Sequence, residues 1–330
     1  MCYHYNGDYM NIEEISVQKE LKIIYMGTPE FSATVLEGLL SEYKIRAIVT
    51  QPDRHSVRGE NVTFSPVKKI GVDRAILTLQ PEKIRDSIDE ILSLEPDLII
   101  TCAYGQILPK EILDYPRLGC INVHASLLPK LRGGAPIHRA IMNGFKETGI
   151  TIMYMDEKMD AGDIISQERV TIDDNDTTEV LHNKLSILGR NLLLKTLPSI
   201  IDGTNDRIKQ NEFDATYGFI IKREDEKINF SKTKREIYNQ IRGLNSYPGA
   251  YFTFEDKIIK VWESYQTNNV YSTLVDGTVT KIYPDGIGIK VSNGEIVLKT
   301  VQPEGKKRMS GFDFANGYAS KGNLVGKIFV

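Results

Sequence analysis

The chain is 330 residues long, 41% hydrophobic and 26% charged, with a formal net charge of −3, which is the composition of a globular protein with room for two cores. No apolar run approaches the roughly 20 residues that cross a bilayer, and the polar, acidic stretch 1–20 lacks the apolar segment of a signal peptide or anchor, so it reads as an N-terminal extension. Three cysteines, Cys2, Cys102 and Cys120, none in a CxxC pair, argue against a disulfide framework and a zinc site, and suit reduced thiols in a cytoplasmic protein.

Taken in order, the first strand is the apolar run Leu21 to Met26, which empties into Gly27-Thr28-Pro29-Glu30. There Thr28 can cap a helix and Pro29 suits its first turn. Strand, glycine turn and helix open a doubly wound α/β domain, but one glycine falls short of the three in a dinucleotide fingerprint. A second strand, Arg46 to Thr50, leads into a polar loop without periodicity, Gln51 to Gly59, of a length that compact domains keep for function. A helix from Ser65, a strand at Ala75 to Leu79 and an amphipathic helix at Pro81 to Leu94 follow.

Pro96 to Tyr104 is apolar on both faces and reads as a central parallel strand, with Cys120 to His124 and Gly149 to Met155 as further strands. Ligands of such sheets sit beyond the carboxyl ends of the strands, where Tyr104, Asn122, His124 and the loop after Met155 are expected to converge. Asp176-Thr177-Thr178-Glu179 starts a long helix to about Ile200, with Val180, Leu181, Leu185, Leu188 and Leu192 as its core stripe. The polar stretch 202–217 reads as a linker. Beyond it, Thr233-Lys234-Arg235-Glu236 caps a helix to about Gly243, and alternating runs at 250–254, 258–265, 277–283, 287–291 and 295–301 read as a small OB-like β-barrel. Residues 218–330 carry 17 Lys and Arg against 12 Asp and Glu, so a basic C-terminal third sits on an acidic remainder, which suggests a polyanionic partner.

Asn122 and His124 stand two apart at the end of an apolar strand, so the pleat points both to one face. The pair by itself reads equally as a satisfied hydrogen-bonded couple or as a site. With Asp160 beside them, an Asn amide and a His imidazole can donate to an oxygen that gains negative charge, while the carboxylate orients the His. No recognisable motif places a Ser or Cys as nucleophile, so the attacking group belongs to a substrate. This set describes direct transfer of an acyl-type carbon between two bound partners.

The runs Asn122-Val123-His124-Ala125-Ser126-Leu127-Leu128-Pro129, Arg132-Gly133-Gly134-Ala135-Pro136-Ile137 and Met155-Asp156-Glu157-Lys158-Met159-Asp160-Ala161-Gly162-Asp163 resemble the signatures of the folate-dependent formyltransferase family. Thr50-Gln51-Pro52-Asp53-Arg54, Ala103-Tyr104-Gly105-Gln106-Ile107-Leu108-Pro109 and Ala215-Thr216-Tyr217 extend the likeness to the branch that acts on methionyl-tRNA. The resemblance implies Asn122, His124 and Asp160 as the catalytic set and 10-formyltetrahydrofolate as formyl donor, with no metal. Folate contacts are implied at Tyr104, Gly105, Ile107, Leu108, Ser126, Leu127, Leu128 and Pro129. It further implies initiator methionyl-tRNA as acceptor, contacted by Arg54 and Arg58 of the loop and by Lys306 and Lys307 of the barrel, and a chain that works as a monomer.

The expected organisation is thus an extension at 1–20, a catalytic domain at 21–201 with a mostly parallel sheet covered by helices on both faces, a linker at 202–217, and a tRNA-binding barrel at 218–330. The family's tRNA loop is basic beyond its Arg-Gly, whereas here Arg58-Gly59 runs into Glu60-Asn61, which weakens attraction for phosphate. Rival readings are formylation of an amino sugar, hydrolysis of the formylfolate, and an inactive tRNA-binding protein on the same scaffold.

Overall fold

The computed structural model describes residues 21–55, 62–319 and 322–330. Its contacts divide the chain into two units that interleave in sequence. The first runs to Arg132 and adds Gly149–Glu168 and Leu185–Ala215; the second takes Gly133–Thr148, Arg169–Lys184 and Thr216–Val330.

In chain order the elements are β1 (Ile23–Gly27), α1 (Glu30–Glu42), β2 (Ile45–Val49), the short β3 (Arg54–His55) and β4 (Val62–Thr63), α2 (Pro66–Asp73), β5 (Thr78–Leu79), α3 (Ile88–Leu92), β6 (Leu98–Cys102), α4 (Lys110–Leu113), β7 (Cys120–His124), α5 (Pro136–Met142), β8 (Glu147–Tyr154), β9 (Ile164–Thr171) and α6 (Thr178–Ile201). The seven-stranded sheet has the order β5-β2-β1-β6-β7-β8-β9. It is parallel from β5 through β7, and β8 then runs antiparallel to β7.

Alternation along the strands assigns helices to both faces. On β1, the Tyr25 hydroxyl reaches Ser32 of α1, while Ile24 and Met26 join Ile91 of α3 and Ile112 of α4 in one cluster on the opposite side. Cys120 belongs to that second cluster, so Asn122 and His124, at its even spacing on β7, share the α3 and α4 face.

Several sequence expectations are corrected. The third strand is only Thr78–Leu79. The helix expected at Pro81 to Leu94 breaks into a 3-10 turn at Ile84–Ser87 and the short α3. Its opening groups are taken by Gln106, whose side chain accepts from the Ile84 amide and donates to the carbonyls of Pro81 and Glu82. Thr28 does not cap α1, since Pro29 stands at that position without a side-chain cap and the Thr28 hydroxyl instead accepts from the Gln51 amide. On α6, Leu181, Leu185 and Leu192 are buried, but Val180, about 100° around the helix from Leu181, is exposed.

In the second unit, α7 (Arg223–Glu226) and α8 (Lys234–Gly243) precede β10 (Ala250–Phe254), β11 (Lys257–Gln266), β12 (Val279–Tyr283), β13 (Gly286–Val291), β14 (Gly294–Pro303), β15 (Met309–Ser310) and α9 (Gly311–Ala319). Thr233 and Glu236 cap α8 reciprocally, as the sequence predicts. The antiparallel order β10-β11-β14-β13-β12 would leave β10 and β12 as edges. The last residues fill the gap: Val330 exchanges backbone hydrogen bonds with Thr253 of β10, while Lys327 and Phe329 pair with Val279 and Gly277 on the β12 side. Phe329 is buried within this closure, stacked on Phe252 at 4.4 Å and tilted against Phe254 at 4.8 Å. β15 and α9 were not anticipated, although Ser310 and Asp313 carry a readable capping pair, with the Asp313 amide donating to Ser310 Oγ at 3.0 Å.

Candidate active site

Because β8 runs antiparallel, Tyr154 lies opposite Ile121 near the start of β7, and the Met155 amide donates to the Cys120 carbonyl. The loop after Met155 therefore leaves from the end of the sheet opposite to the one expected. It nonetheless returns along the sheet and brings Asp160 to Asn122 and His124. Asp160 Oδ1 lies 3.5 Å from Asn122 Nδ2, and Asp160 Oδ2 lies 3.7 Å from His124 Nδ1.

Each partner is fixed by a neighbour. Thr101 on β6 pairs with Asn122 on β7, and its hydroxyl donates to Asn122 Oδ1 at 2.9 Å, which sets the amide so that Nδ2 faces Asp160. The buried His124 ring donates from Nε2 to the Leu131 carbonyl at 3.1 Å, since a carbonyl only accepts. That bond turns Nδ1 toward Asp160. At 3.7 Å the two are beyond a direct hydrogen bond but close enough for charge on one to act on the other. Leu131 and Asp160 both hold left-handed backbone, with φ of 58° and 50°, conformations that persist where surroundings enforce them. Gly162 supplies part of that enforcement, because a Cβ there would stand 2.0 Å from the Tyr154 carbonyl oxygen, so only glycine lets the loop lie this close to the strand.

The segment Ser126 to Pro129 is pinned to β8. Thr151 Oγ1 donates to the Ser126 carbonyl at 2.7 Å and accepts from the Leu128 amide at 3.1 Å, while Ser126 Oγ is engaged by the Lys130 carbonyl at 2.6 Å. Ser126 and Leu128 are buried, and Leu127 and Pro129 are half-buried. Across the site, Gly105 and Ile107 are exposed, whereas Tyr104 and Leu108 are buried. The Tyr104 hydroxyl has no hydrogen-bond partner among the described residues, and burial pushes it up to about 12. A cleft of about 350 Å³ is lined by Ile88, Ile107, Leu108 and Pro109, with Arg85 and Lys110 at its polar side. Glu157 of the returning loop also lines it, but Asn122, His124 and Asp160 do not.

The nucleic-acid candidates lie apart from this set in the sequence and are described separately. Arg54 sits in β3, paired with Thr63 of β4, and Arg58 falls outside the described residues, as do residues 1–20. Lys306 and Lys307 are exposed in the turn after β14, beside Arg308, whose guanidinium stacks 3.7 Å over the Trp262 ring. Among the described residues no group of His, Cys, Asp and Glu could hold a metal ion, and no helix is long and apolar enough to cross a membrane.

Sequence reasoning missed three supports of the site: Thr101, Arg132 as a buried side chain, and Gln210. Arg132 was quoted within a motif but without a role, and Gln210 lies in the stretch read as a linker. That stretch is tied to the first unit, with Ile208 and Ile164 exchanging backbone hydrogen bonds of 2.9 and 2.8 Å.

Two family models match the chain, Formyl transferase over residues 21–197 and Formyl transferase, C-terminal domain, over residues 220–319. The chain belongs to the formyl transferase family. It is 52% identical over 303 residues to the methionyl-tRNA formyltransferase of Lysinibacillus sphaericus, covering 91% of this chain and 96% of the relative. It is 49% identical to that of Bacillus subtilis over 310 residues, with 92% and 98% covered. Among solved structures, an N-formyltransferase from Helicobacter canadensis in complex with folinic acid and dTDP-3-aminofucose matches with a TM-score of 0.64 at 22% identity, covering 84% of this chain and 99% of the other. HypX from Aquifex aeolicus in complex with tetrahydrofolic acid matches with a TM-score of 0.63 at 15% identity, over 92% of this chain and 48% of the other. At these identities the two structures speak for the shared fold.

Proposed function

We propose that this formyl transferase moves the formyl group of 10-formyltetrahydrofolate to the α-amino group of methionyl-initiator tRNA in the cytoplasm, for initiation of translation. The observation that carries the reading is the meeting of Asn122, His124 and Asp160, joined to about 50% identity with methionyl-tRNA formyltransferases over nearly the whole chain, barrel included. Identity of 49–52% to the methionyl-tRNA enzymes, against 22% to the amino-sugar-complexed enzyme over a comparable share of the chain, favours a tRNA acceptor over an amino sugar.

The folate fits the residues present. Ile88, Ile107, Leu108 and Pro109 offer an apolar wall to a flat ring system, Arg85 offers charge to acidic substituents while Lys110 is held by Asp114 and Glu157, and next to the wall in sequence the buried Tyr104 hydroxyl is a polar group in want of a partner. When bound, the folate supplies the formyl carbon. The attacking nucleophile is the neutral amine of the aminoacyl group: its bond to the formyl carbon forms, the bond from that carbon to the folate nitrogen breaks, and one proton passes from the amine to that nitrogen. Asn122 Nδ2 donates to the formyl oxygen as it gains charge. With Nε2 committed to Leu131, His124 acts through Nδ1, taking the amine proton there and presenting an N–H to the same oxygen. Asp160, 3.7 Å from Nδ1, holds the orientation of the ring. Lys306 and Lys307 contact the tRNA backbone, and Arg54 and Arg58 its acceptor end.

The test is single-turnover transfer from 10-formyltetrahydrofolate to charged initiator tRNA, run against charged elongator methionyl-tRNA and a nucleotide-linked amino sugar. Transfer to the initiator with a drop of roughly 100-fold to 10,000-fold in His124→Ala supports the reading. Transfer to the sugar alone, or near-wild-type rates in His124→Ala, overturns it.

A further inference from the structure

Gln210 uses every hydrogen-bonding position of its side-chain amide. Nε2 donates to the Asp160 carbonyl and to the Gly162 carbonyl, each at 2.8 Å, and Oε1 accepts from Arg132 Nε at 3.0 Å and Nη2 at 2.9 Å. An amide offers two donors and two acceptor sites, so nothing is left over. The orientation is forced as well, because two carbonyls can only accept and a guanidinium can only donate.

Arg132 is 2% exposed, and its remaining edge forms a pair of bonds to the Glu212 carboxylate, Nη1 to Oε2 at 3.1 Å and Nη2 to Oε1 at 2.9 Å. The hydrogen bond from Arg132 holds the Glu212 carboxyl below its usual range. Arg132 directly follows Leu131, the residue whose carbonyl fixes His124 Nε2. One side of the Gln210 amide thus holds the chain that orients His124, and the other holds the loop that carries Asp160.

We propose that Gln210 is a positioning residue for the transfer reaction, clamping the Asp160 loop to the buried Arg132 side chain, one residue beyond Leu131, so that Asp160 faces His124 and Asn122. The proposal rests on the catalytic reading of these three residues given above. Asp160, at one end of the clamp, and Leu131, next to Arg132 at the other, sit in left-handed backbone that a non-glycine residue leaves when released. Loss of the clamp lets Asp160 retreat, and a misplacement on the order of 1 Å costs roughly 100-fold in rate. Leucine at 210 removes all four bonds. Glutamate keeps the guanidinium pairing but sets carboxylate oxygen against two carbonyls, so it opens the loop side alone.

The experiment is a double-mutant cycle of Gln210→Leu with Asp160→Ala, repeated with Gln210→Glu, read as single-turnover kcat, KM for the folate and Kd for charged tRNA. Gln210 is only half-buried, and the melting temperature of each variant checks that the fold survives. Expected are a kcat lower by roughly 10-fold to 100-fold in both Gln210 variants, KM and Kd within about threefold, and a further loss under about twofold when Gln210→Leu is added to Asp160→Ala. An inactive Asp160→Ala beside Gln210 variants of wild-type kcat overturns the clamp alone. Additive losses overturn it too, since they mean that Gln210 acts elsewhere. An active Asp160→Ala overturns the catalytic reading and the clamp with it.

Discussion

Thr101 and Asn122 face each other across the parallel pair β6 and β7, and the threonine hydroxyl, with Asp160 on the other side, sets which way the asparagine amide points. Thr101→Val keeps the shape and removes the donor. The amide then loses its preferred orientation, and single-turnover kcat is expected to fall roughly 10-fold, short of the roughly 100-fold to 1,000-fold loss of an oxyanion donor itself. Binding of folate and tRNA stays unchanged, and the split between kcat and KM checks it.

Lys306 and Lys307 are exposed side by side at the β14 to β15 turn. Replacing both by glutamate is expected to weaken charged tRNA binding and to lower the slope of log affinity against log salt by about 1 to 2, as two phosphate contacts would. Formyl transfer at saturating tRNA is expected to survive. Filter binding from low to moderate salt measures the slope.

Glu295 is a fully buried carboxylate in the barrel. Burial pushes its carboxyl up, but hydrogen bonds from Thr280, Thr267, Tyr283 and Asn269 favour the charged form and together bring it below the usual range. A folded-state value below the unfolded one means stability that is present above the unfolded pKa of about 4.3 and lost as pH falls through the folded value. Urea unfolding from pH 7 to pH 3 is expected to show this loss in the wild type. Glu295→Gln should lack that component and start about 1 to 3 kcal/mol less stable at pH 7, because its amide meets donors with donors.

Phe329 closes the barrel between Phe252 and Phe254. Phe329→Ala is expected to cost about 3 to 5 kcal/mol, the range for truncating a buried aromatic residue. Chemical denaturation reads it as an earlier transition.

What the sequence made legible follows periodicity. The two-residue spacing of Asn122 and His124 put them on one face, the Thr233 and Glu236 pair marked α8, and alternation marked β10 to β14, because each of these is written in neighbouring residues. The meeting with Asp160 was anticipated for a reason that does not hold. The rule of strand ends assumes a parallel strand, whereas β8 is antiparallel and its loop must double back. The clamp was illegible because a glutamine in a polar, unpatterned stretch looks alike whether it is solvated or bonded on all sides. Likewise the break at Ile84 depends on Gln106, which stands 22 residues away.

The interleaving of the two units limits how this protein can be taken apart. Residues 133–148 and 169–184 belong with the C-terminal body, where Arg139 forms a twin bond to Asp225, Arg242 donates to the carbonyls of Asp173 and Asp176, and Gly243 lies against Met142. A gene cut within 202–217 would strand both segments on the wrong fragment, with their partners lost. Chimaeras that exchange the second unit between relatives therefore need three separate segments of sequence to travel together, and a transplant of the tail alone would carry a module already missing part of its own foundation.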